Sequence, residues 1–234
     1  MVLSTARSGT SALLVALGSH PDVVMHGEIF HEKIEWHINA EFLASHNISG
    51  RETDPVGFVK EILAANFGRR IVGFKMWRPQ SIEACDYVLE NPEILKFILE
   101  RKNRLAALSS SMLAKQTQIW NVRMSGPLTT SDASPKIGFR SHAFRRFLET
   151  HNQLFEYYRS HAKGTVVEIS YADVAKLRIP EVLNALEIDG FPLQHKMQKL
   201  HPSDILSRFD PAVHDIIRAE LARIGHPEWA VEDV

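Results

Sequence analysis

Residues 4–11 read Ser4-Thr5-Ala6-Arg7-Ser8-Gly9-Thr10-Ser11 and carry the chain from a short apolar segment, residues 2–5, into an apolar-periodic segment, residues 11–17. The first segment predicts a β-strand and the second an amphipathic helix. A tight turn of small residues at such a junction directs free backbone N–H groups toward the positive end of the helix. Arg7 adds a fixed cation, and the serines and threonines add hydroxyls. Residues 4–11, called the first loop below, therefore predict a phosphate-binding turn.

The composition limits the class of protein. The chain has 234 residues, 44% hydrophobic and 24% charged, which is enough for one α/β domain with a sizeable core. Its formal net charge is -1, so any nucleotide site must be locally basic. Cys85 is the single cysteine, which excludes an internal disulfide and a cysteine-rich metal site. No apolar run reaches transmembrane length and no secretory signal is visible, so we expect a cytoplasmic protein without nucleic-acid partners or membrane insertion.

Strands and helices are expected to alternate along the rest of the chain. Strands are predicted at residues 2–5, 69–77, 94–99 and 165–170, with a short extended piece at 23–25. Helices are predicted at residues 11–17, 36–46, 56–67, 104–120, 142–159, 179–187 and 211–224. Strands separated by helices form parallel sheets with right-handed crossovers. The prediction is one α/β domain, residues 1–234, with a P-loop-like three-layer fold and a central, mainly parallel sheet of about four to five strands.

The first loop differs from the Walker A motif in the position of its cation. That motif has a lysine between its second glycine and the Ser/Thr, whereas Gly9 is followed directly by Thr10. A nucleoside triphosphatase also needs an acidic residue at a later strand end to help hold magnesium. The predicted strand ends carry other groups: Lys75, Arg101 and Tyr171. Because open α/β sheets bind ligands at this edge, the residues predict an anion bound without a metal.

A second anion site is predicted beyond the third strand. Arg101 follows that strand directly, and Ser109 lies eight residues later in the next helix. A guanidinium at a strand end and a hydroxyl on the following helix can converge on one phosphate. Spacing favours Ser109 over its neighbours Ser110 and Ser111. Two phosphate sites on one sheet edge indicate a nucleotide that is phosphorylated at both ends.

These segments together resemble the sulfotransferases that use 3′-phosphoadenosine 5′-phosphosulfate (PAPS), in particular bacterial and carbohydrate-directed members. Residues 7–11 resemble the family's 5′-phosphosulfate loop, and Arg101 with Ser109 resembles its 3′-phosphate site. The resemblance continues through Ser170-Tyr171-Ala172-Asp173-Val174, through residues 20–30 and through the tail from Lys199 by Arg208-Phe209 to Trp229. Ala6, where many members have proline, and Ala172 depart from the pattern. The resemblance covers nearly the whole chain.

The resemblance implies transfer of a sulfuryl group from PAPS to an acceptor hydroxyl, with 3′,5′-adenosine bisphosphate (PAP) as the other product. Arg7 would contact the 5′-phosphate and leaving oxygen, and Lys75 would face the sulfuryl group. Tyr171 would lie against the adenine. The remaining nucleotide contacts would come from Ser8, Gly9, Thr10 and Ser11 at the 5′ end and from Arg101 and Ser109 at the 3′ end. No metal is implied, because a sulfuryl group carries less charge than a phosphoryl group.

The acceptor must lose a proton as the new S–O bond forms, and three residues are candidates for the general base. Glu28 is placed first because it matches the glutamate of bacterial carbohydrate-directed members, followed by His31 and then His26. The acceptor is expected to be a small molecule or glycan, with a carbohydrate or glycolipid hydroxyl favoured over an apolar alcohol. Residues 121–135, rich in Ser, Thr, Gly and Pro, are interpreted as a loop that orders over the acceptor.

Two other function classes remain open at this point. A P-loop kinase or phosphotransferase acting on a small alcohol would require magnesium and a lysine in the first loop. A catalytically silent nucleotide-binding module would keep the fold but would not need Glu28 or Lys75.

Overall fold

The computed structural model describes residues 1–120, 135–188, 192–193 and 201–232. Its centre is a five-stranded sheet in the order β2-β3-β1-β4-β5, with every neighbouring pair parallel. The strands are β1 Val2–Leu3, β2 Val23–Glu28, β3 Ile71–Met76, β4 Lys96–Glu100 and β5 Val166–Ser170. The predicted α/β class with a central parallel sheet is confirmed. β1 is the middle strand, so the segment that follows it leaves from the centre of the sheet.

Alternate side chains of the central strands pack on opposite faces of the sheet, as expected for strands buried on both sides. Val2, Phe97 and Leu99 belong to the apolar cluster on one face. Leu3 and Ile98 belong to the cluster on the other face. All five are nearly inaccessible to solvent. These short apolar strands therefore anchor helices on both sides and form a three-layer arrangement.

Helices cover both faces of the sheet. The face that contains Val2 is covered by α1 Thr10–Leu17, α7 Tyr171–Ala175 and α8 Pro180–Leu186. The face that contains Leu3 is covered by α2 Ala40–Ser45, α3 Pro55–Ala64, α4 Ile82–Glu90 and part of α6 Ser141–His161. A third apolar cluster joins α5 Arg104–Thr117 to α9 His214–Arg223 and to residues 205–209. This cluster holds the segment around residue 208 against α5.

Two helices, α4 and α7, have no counterpart among the predicted elements. Ser81 caps α4 by accepting a hydrogen bond from the backbone N–H of Ala84. Ser170 caps α7 in the same way, accepting from the N–H of Asp173. Both helices are short, and both begin at a serine cap. α7 directly follows β5, so it places its first residue, Tyr171, at the carboxyl edge of the sheet.

Other elements differ from the prediction at their ends. β2 extends beyond the expected piece at 23–25 because it continues to pair with β3 as far as Glu28. The predicted helix 36–46 is replaced by the 3₁₀ turn Ile34–Trp36 and by α2, which begins after the cap Asn39. The predicted helix 211–224 opens with the 3₁₀ turn Pro211–Val213 before α9.

Parts of two sequence expectations lie outside the described residues. They are residues 121–134 of the loop that was interpreted as a lid, and Lys199 at the start of the tail. In the part of the chain that the structure describes, no helix has the length and apolar character needed to cross a membrane.

Candidate active site

The first loop and Arg101 leave the sheet side by side. β1 pairs with β4 in parallel, with Leu3 opposite Ile98, so the residues that follow both strands emerge at the same edge. On its other side β1 pairs with β3, whose Lys75 lies opposite Val2. The chain leaves β1 toward β2 and β3 on one side and later crosses to β4 on the other side of β1. Open α/β sheets bind ligands at such a change in the direction of the connections. The edge therefore has two flanks, one beside β4 and one beside β3.

Gly9 fixes the shape of the first loop. It is the residue before α1 and has a φ of 85°, a conformation that side chains rarely adopt. A Cβ at this position would lie 2.8 Å from Cδ2 of Tyr171, so the ring of Tyr171 packs directly under the glycine. No side chain caps α1, and its first N–H groups have no partner within the helix. This end of α1 is suited to receive an anion.

Four residues of the first loop that carry hydroxyls are buried and hold its shape: Ser4, Thr5, Ser8 and Thr10. Thr5 Oγ1 and Ser8 Oγ lie 3.0 Å apart, and Ser4 Oγ donates to the carbonyl of Leu99. The side chain of Thr10 accepts a hydrogen bond of 3.1 Å from Lys75 Nζ. The loop is therefore bonded to both neighbouring strands.

On the β4 flank, three arginines lie close together. They are called the arginine cluster below and comprise Arg7, Arg101 and Arg208. Arg101 lies over the ring of Tyr171 at 4.2 Å and donates to the carbonyl oxygen of Arg7. Burial and the charge of Arg101 both lower the pKa of Arg7. Arg101 and Arg208 are 5% and 4% exposed, so their charges are shielded from water. Such a group of buried cations favours an anionic ligand.

Two adjacent serines of α5 contact this cluster. Ser109 accepts a 3.0 Å hydrogen bond from Arg208, and Ser110 accepts a 2.9 Å hydrogen bond from the Nε of Arg7. Both serines are buried, whereas Ser111 is only partly buried. Ser109 and Ser110 thus each accept a hydrogen bond from an arginine of the cluster, Ser109 from Arg208 and Ser110 from Arg7. Arg7 directs its guanidinium toward α5 and bonds the carbonyl of Trp120 as well.

Arg208 is a residue that sequence reasoning did not assign to the site. Its Nε has no hydrogen-bond partner among the described residues although the side chain is buried. Burial, followed by the charge of Arg101, lowers its pKa to about 10. A buried guanidinium edge without a partner is costly unless a ligand completes it. The sequence signal is an arginine within the apolar run 205–209, which predicts a buried charge.

On the β3 flank, Glu28 and Lys75 form an ion pair. Lys75 Nζ lies 2.9 Å from Glu28 Oε1, and Gln80 Nε2 donates to Glu28 Oε2 at 2.6 Å. The register between β2 and β3 shifts between Met25 and Glu28, and this irregularity sets Glu28 opposite Lys75. Burial raises the pKa of Glu28, but the charge and hydrogen bond of Lys75 outweigh it, so the net pKa lies below its ordinary value.

The histidines near Glu28 differ in exposure. His26 is completely buried, and burial lowers its pKa to about 4, so an acceptor has no access to it. His31 is partly exposed and its ring lies 4.4 Å from that of His37. His37 Nδ1 accepts a hydrogen bond from the backbone N–H of Glu28. Sequence reasoning missed His37 and Gln80, both of which contact Glu28.

A small cavity joins the first loop to the ion pair. Its wall is formed by Ser4, Thr5, Ala6, Thr10, Glu28, Lys75, Met76 and Trp77. Within the described ranges, no group of three or more His, Cys, Asp or Glu is arranged to hold a metal ion. The edge thus has a cationic flank, a central loop and an acid–lysine flank.

No protein-family model matches this chain, and no curated protein does either. Among solved structures, the chain is similar to a crystal structure of a sulfotransferase from Alicyclobacillus acidocaldarius. The two are 15% identical, the match covers 97% of each chain, and the TM-score is 0.45. A likeness of this size leaves the chemistry to be read from the residues of the site.

Proposed function

We propose that this protein is a sulfotransferase that moves a sulfuryl group from PAPS to an acceptor hydroxyl. One observation carries the proposal. Among the described residues, the buried Arg101 and Arg208 and the partly buried Arg7 outnumber the carboxylates paired with them on one side of the first loop, and a carboxylate paired with a lysine lies on the other. A nucleotide with phosphates at both ends fits the cationic side and the start of α1 together. The Nε of Arg208, which has no hydrogen-bond partner in the described part of the chain, supports such an anion independently.

The nucleotide is proposed to bind along the β4 flank. Arg101, Arg208 and Ser109 are the proposed contacts of the 3′-phosphate; Arg208 donates to Ser109, and the charge of Arg101 acts on Arg208. The 5′-phosphate binds at the start of α1, where the backbone N–H groups of Gly9, Thr10 and Ser11 and the hydroxyl of Ser8 are the proposed donors. Arg7, held between the two positions by Ser110, contributes charge to both. Tyr171, which stays partly exposed beside Arg101 and Gly9, is the proposed contact of the adenine.

The transfer step is proposed to take place in the small cavity beside Thr10. The S–O bond between the sulfuryl group and the 5′-phosphate breaks, with its electron pair leaving on PAP, as a new S–O bond forms to the acceptor oxygen. Lys75 stabilises the charge that develops on the transferring group, because its ammonium already lies 3.1 Å from Thr10. Fixed donors of this kind need no reorganisation when the charge appears.

Glu28 is proposed to accept the proton of the acceptor hydroxyl. Its lowered pKa keeps the carboxylate ionised at neutral pH, and its pairing with Lys75 sets it beside the sulfuryl position. Gln80 orients the carboxylate, and His37 holds the backbone N–H of Glu28. Partly exposed polar groups and Trp77 around it suit a small-molecule or glycan acceptor, and we propose a carbohydrate or glycolipid hydroxyl.

Calorimetric titration with PAP and with ATP, each with and without magnesium, tests the nucleotide part of the proposal. We expect PAP to bind tightly without a metal and to bind much more weakly to the Arg101→Ala variant. A preference for ATP with magnesium would favour a phosphotransferase instead.

Incubation with isotope-labelled PAPS and a panel of glycan and small-molecule acceptors, followed by mass analysis, tests the transfer. We expect a labelled sulfate ester whose formation requires Glu28. A protein that binds PAP but modifies no acceptor under these conditions would be a nucleotide-binding module rather than an enzyme.

A further inference from the structure

The arginine cluster already holds one carboxylate. Glu232 accepts hydrogen bonds from two nitrogens of Arg101, with Nε to Oε1 at 2.8 Å and the second terminal nitrogen to Oε2. The side chains of this pair are 6% and 7% exposed, so the contact is buried. Nε and the adjacent terminal nitrogen form the edge by which an arginine binds a carboxylate or a phosphate in a two-pronged manner.

The backbone around Glu232 is anchored independently of its side chain. The N–H of Glu232 donates to the carbonyl of Ser203 at 2.9 Å, and Val231 pairs with Asp204 in an antiparallel bridge. Asn103 donates from its side chain to the carbonyls of Trp229 and Val231. Asn103 is also the N-cap of α5, the helix that carries Ser109. The side chain of Glu232 can therefore leave Arg101 while the segment itself stays in place.

Electrostatics explains why a carboxylate lies at this point. The charge of Arg101 acts unfavourably on Arg7, on Arg208 and on the partly buried His201, while the charge of Glu232 acts favourably on Arg208. A buried arginine cluster without an anion would leave its charges uncompensated, which is strongly destabilising. Glu232 supplies that anion. A phosphate bound to the same edge of Arg101 would supply it equally well, and the two cannot occupy the edge together.

We propose that Glu232 is an internal counter-ion that exchanges with the 3′-phosphate of the nucleotide. Its carboxylate binds Arg101 when no nucleotide is present, is displaced when PAPS binds, and returns when PAP leaves. The inference rests on the proposed function, because it identifies the 3′-phosphate as the competing group. Its consequence is that Glu232 weakens binding only of nucleotides that carry a 3′-phosphate and accelerates their release. Glu232 is thus a specificity-determining residue of the nucleotide site.

The test compares the Glu232→Gln variant with the parent protein by calorimetric titration against PAP and against 5′-AMP, which lacks the 3′-phosphate. Glutamine has the same shape and still accepts a hydrogen bond from Arg101, but it does not compete as a charge. We expect the variant to bind PAP about tenfold more tightly, a change of roughly 1.4 kcal/mol. Binding of 5′-AMP is expected to be unchanged, and stopped-flow measurement is expected to show slower PAP release.

Glu228→Gln is the matched control. Glu228 lies in the same segment but is exposed and bonds His226 rather than the arginine cluster. Its substitution is expected to leave PAP binding unchanged. Glu232→Asp, which retracts the carboxylate by one methylene, is the second variant, and thermal melting shows whether each protein is folded. Glu232→Asp is expected to bind PAP more tightly than the parent, by a smaller factor than Glu232→Gln.

The outcomes separate the exchange from the proposed function. Unchanged or weaker PAP binding by folded Glu232→Gln overturns the exchange, since Glu232 would then support the position of Arg101. An equal gain in affinity for 5′-AMP also overturns the exchange, because the tighter binding would then not depend on the 3′-phosphate. Failure of the parent and both Glu232 variants to bind PAP contradicts the proposed function itself and removes the exchange with it.

Discussion

The two flanks of the first loop carry charge in opposite ways. On the β4 side, Arg101 pairs with the carboxylate of Glu232, whereas Arg7 and Arg208 form no ion pair with a carboxylate among the described residues. On the β3 side, Glu28 and Lys75 are paired one to one at 2.9 Å. An excess of buried positive charge needs an external anion and is suited to binding. A carboxylate beside an ammonium can accept a proton while the ammonium stabilises negative charge that develops nearby, so such a pair is suited to catalysis.

The largest effect is expected from Glu28→Gln, which removes the proposed base and leaves the arginine cluster intact. Turnover should fall by about a hundredfold to ten-thousandfold, the usual contribution of a positioned base. PAP affinity should remain that of the parent, as measured by titration alongside the rate. A variant that keeps full turnover would show that the β3 flank does not remove the acceptor proton.

Arg101→Ala makes the opposite change, because it affects the cationic flank and spares Glu28. PAP affinity should fall by about a hundredfold, since a two-pronged charged contact to the 3′-phosphate is lost. Arg159→Ala serves as the control, because Arg159 is half exposed and pairs with Glu100 and Glu168 away from the loop. Equal losses in the two variants would argue against a specific phosphate contact.

The loss of folding stability in acid limits the pH range over which the two flanks can be compared by activity and binding. Burial lowers the pKa of His26 to about 4, against an ordinary value of 6.5. The unfolded chain therefore binds more protons between these values, and stability falls as the pH drops from 6.5 toward 4. The protonation of His26 in the unfolded chain is expected to lower the free energy of unfolding by about 2 kcal/mol between pH 7 and pH 5.

Urea unfolding at the two pH values measures this loss. His26→Asn should show a shallower pH dependence than the parent, whatever its absolute stability. The same slope in both proteins would mean that His26 is protonated in the folded state as readily as in the unfolded state.

Arg208→Gln tests whether the residue that sequence reasoning missed belongs to the cationic flank. The glutamine keeps a donor near Ser109 but removes the charge. PAP affinity should fall by about tenfold, and 5′-AMP affinity should change little. If both ligands weaken equally, Arg208 supports the structure of the loop and does not contact the 3′-phosphate.

The smallest effect is expected in the pH profile of Lys75→Met. Lys75 holds the pKa of Glu28 below its ordinary value, so its removal should raise that pKa. The acid limb of kcat/KM, which reports the free enzyme, should therefore move to higher pH. Measurement stays above pH 5, where the parent is expected to show no acid limb and the variant is expected to show one, with folding monitored in parallel. A folded variant without a limb in this range would separate Lys75 from the ionisation of Glu28.

The parts of the site that are close in sequence or fixed by strand pairing were predictable. The first loop follows an apolar strand, and Arg101 follows another, so a parallel sheet places both at one edge. Ser109 follows Arg101 by eight residues and lies in the next helix, α5. Local patterns and the properties of parallel sheets are sufficient for these positions.

The missed residues depend on contacts between distant segments. Arg208 meets Ser109 from 99 residues away, and Glu232 meets Arg101 from 131 residues away. Gln80 reaches Glu28 across the β3 edge, and the shift in register that orients Glu28 leaves no signal in the sequence. Such contacts follow from how the segments pack, which residue type and spacing do not specify.

A crystal structure with PAP bound tests the central claim most directly. We predict that the 3′-phosphate lies within hydrogen-bonding distance of Arg101 and Ser109, and that the 5′-phosphate lies against the first N–H groups of α1. The space beside Lys75 and Glu28 should then remain open for the sulfuryl group and the acceptor. A nucleotide bound elsewhere, or one whose 3′-phosphate points away from the arginine cluster, would contradict the account.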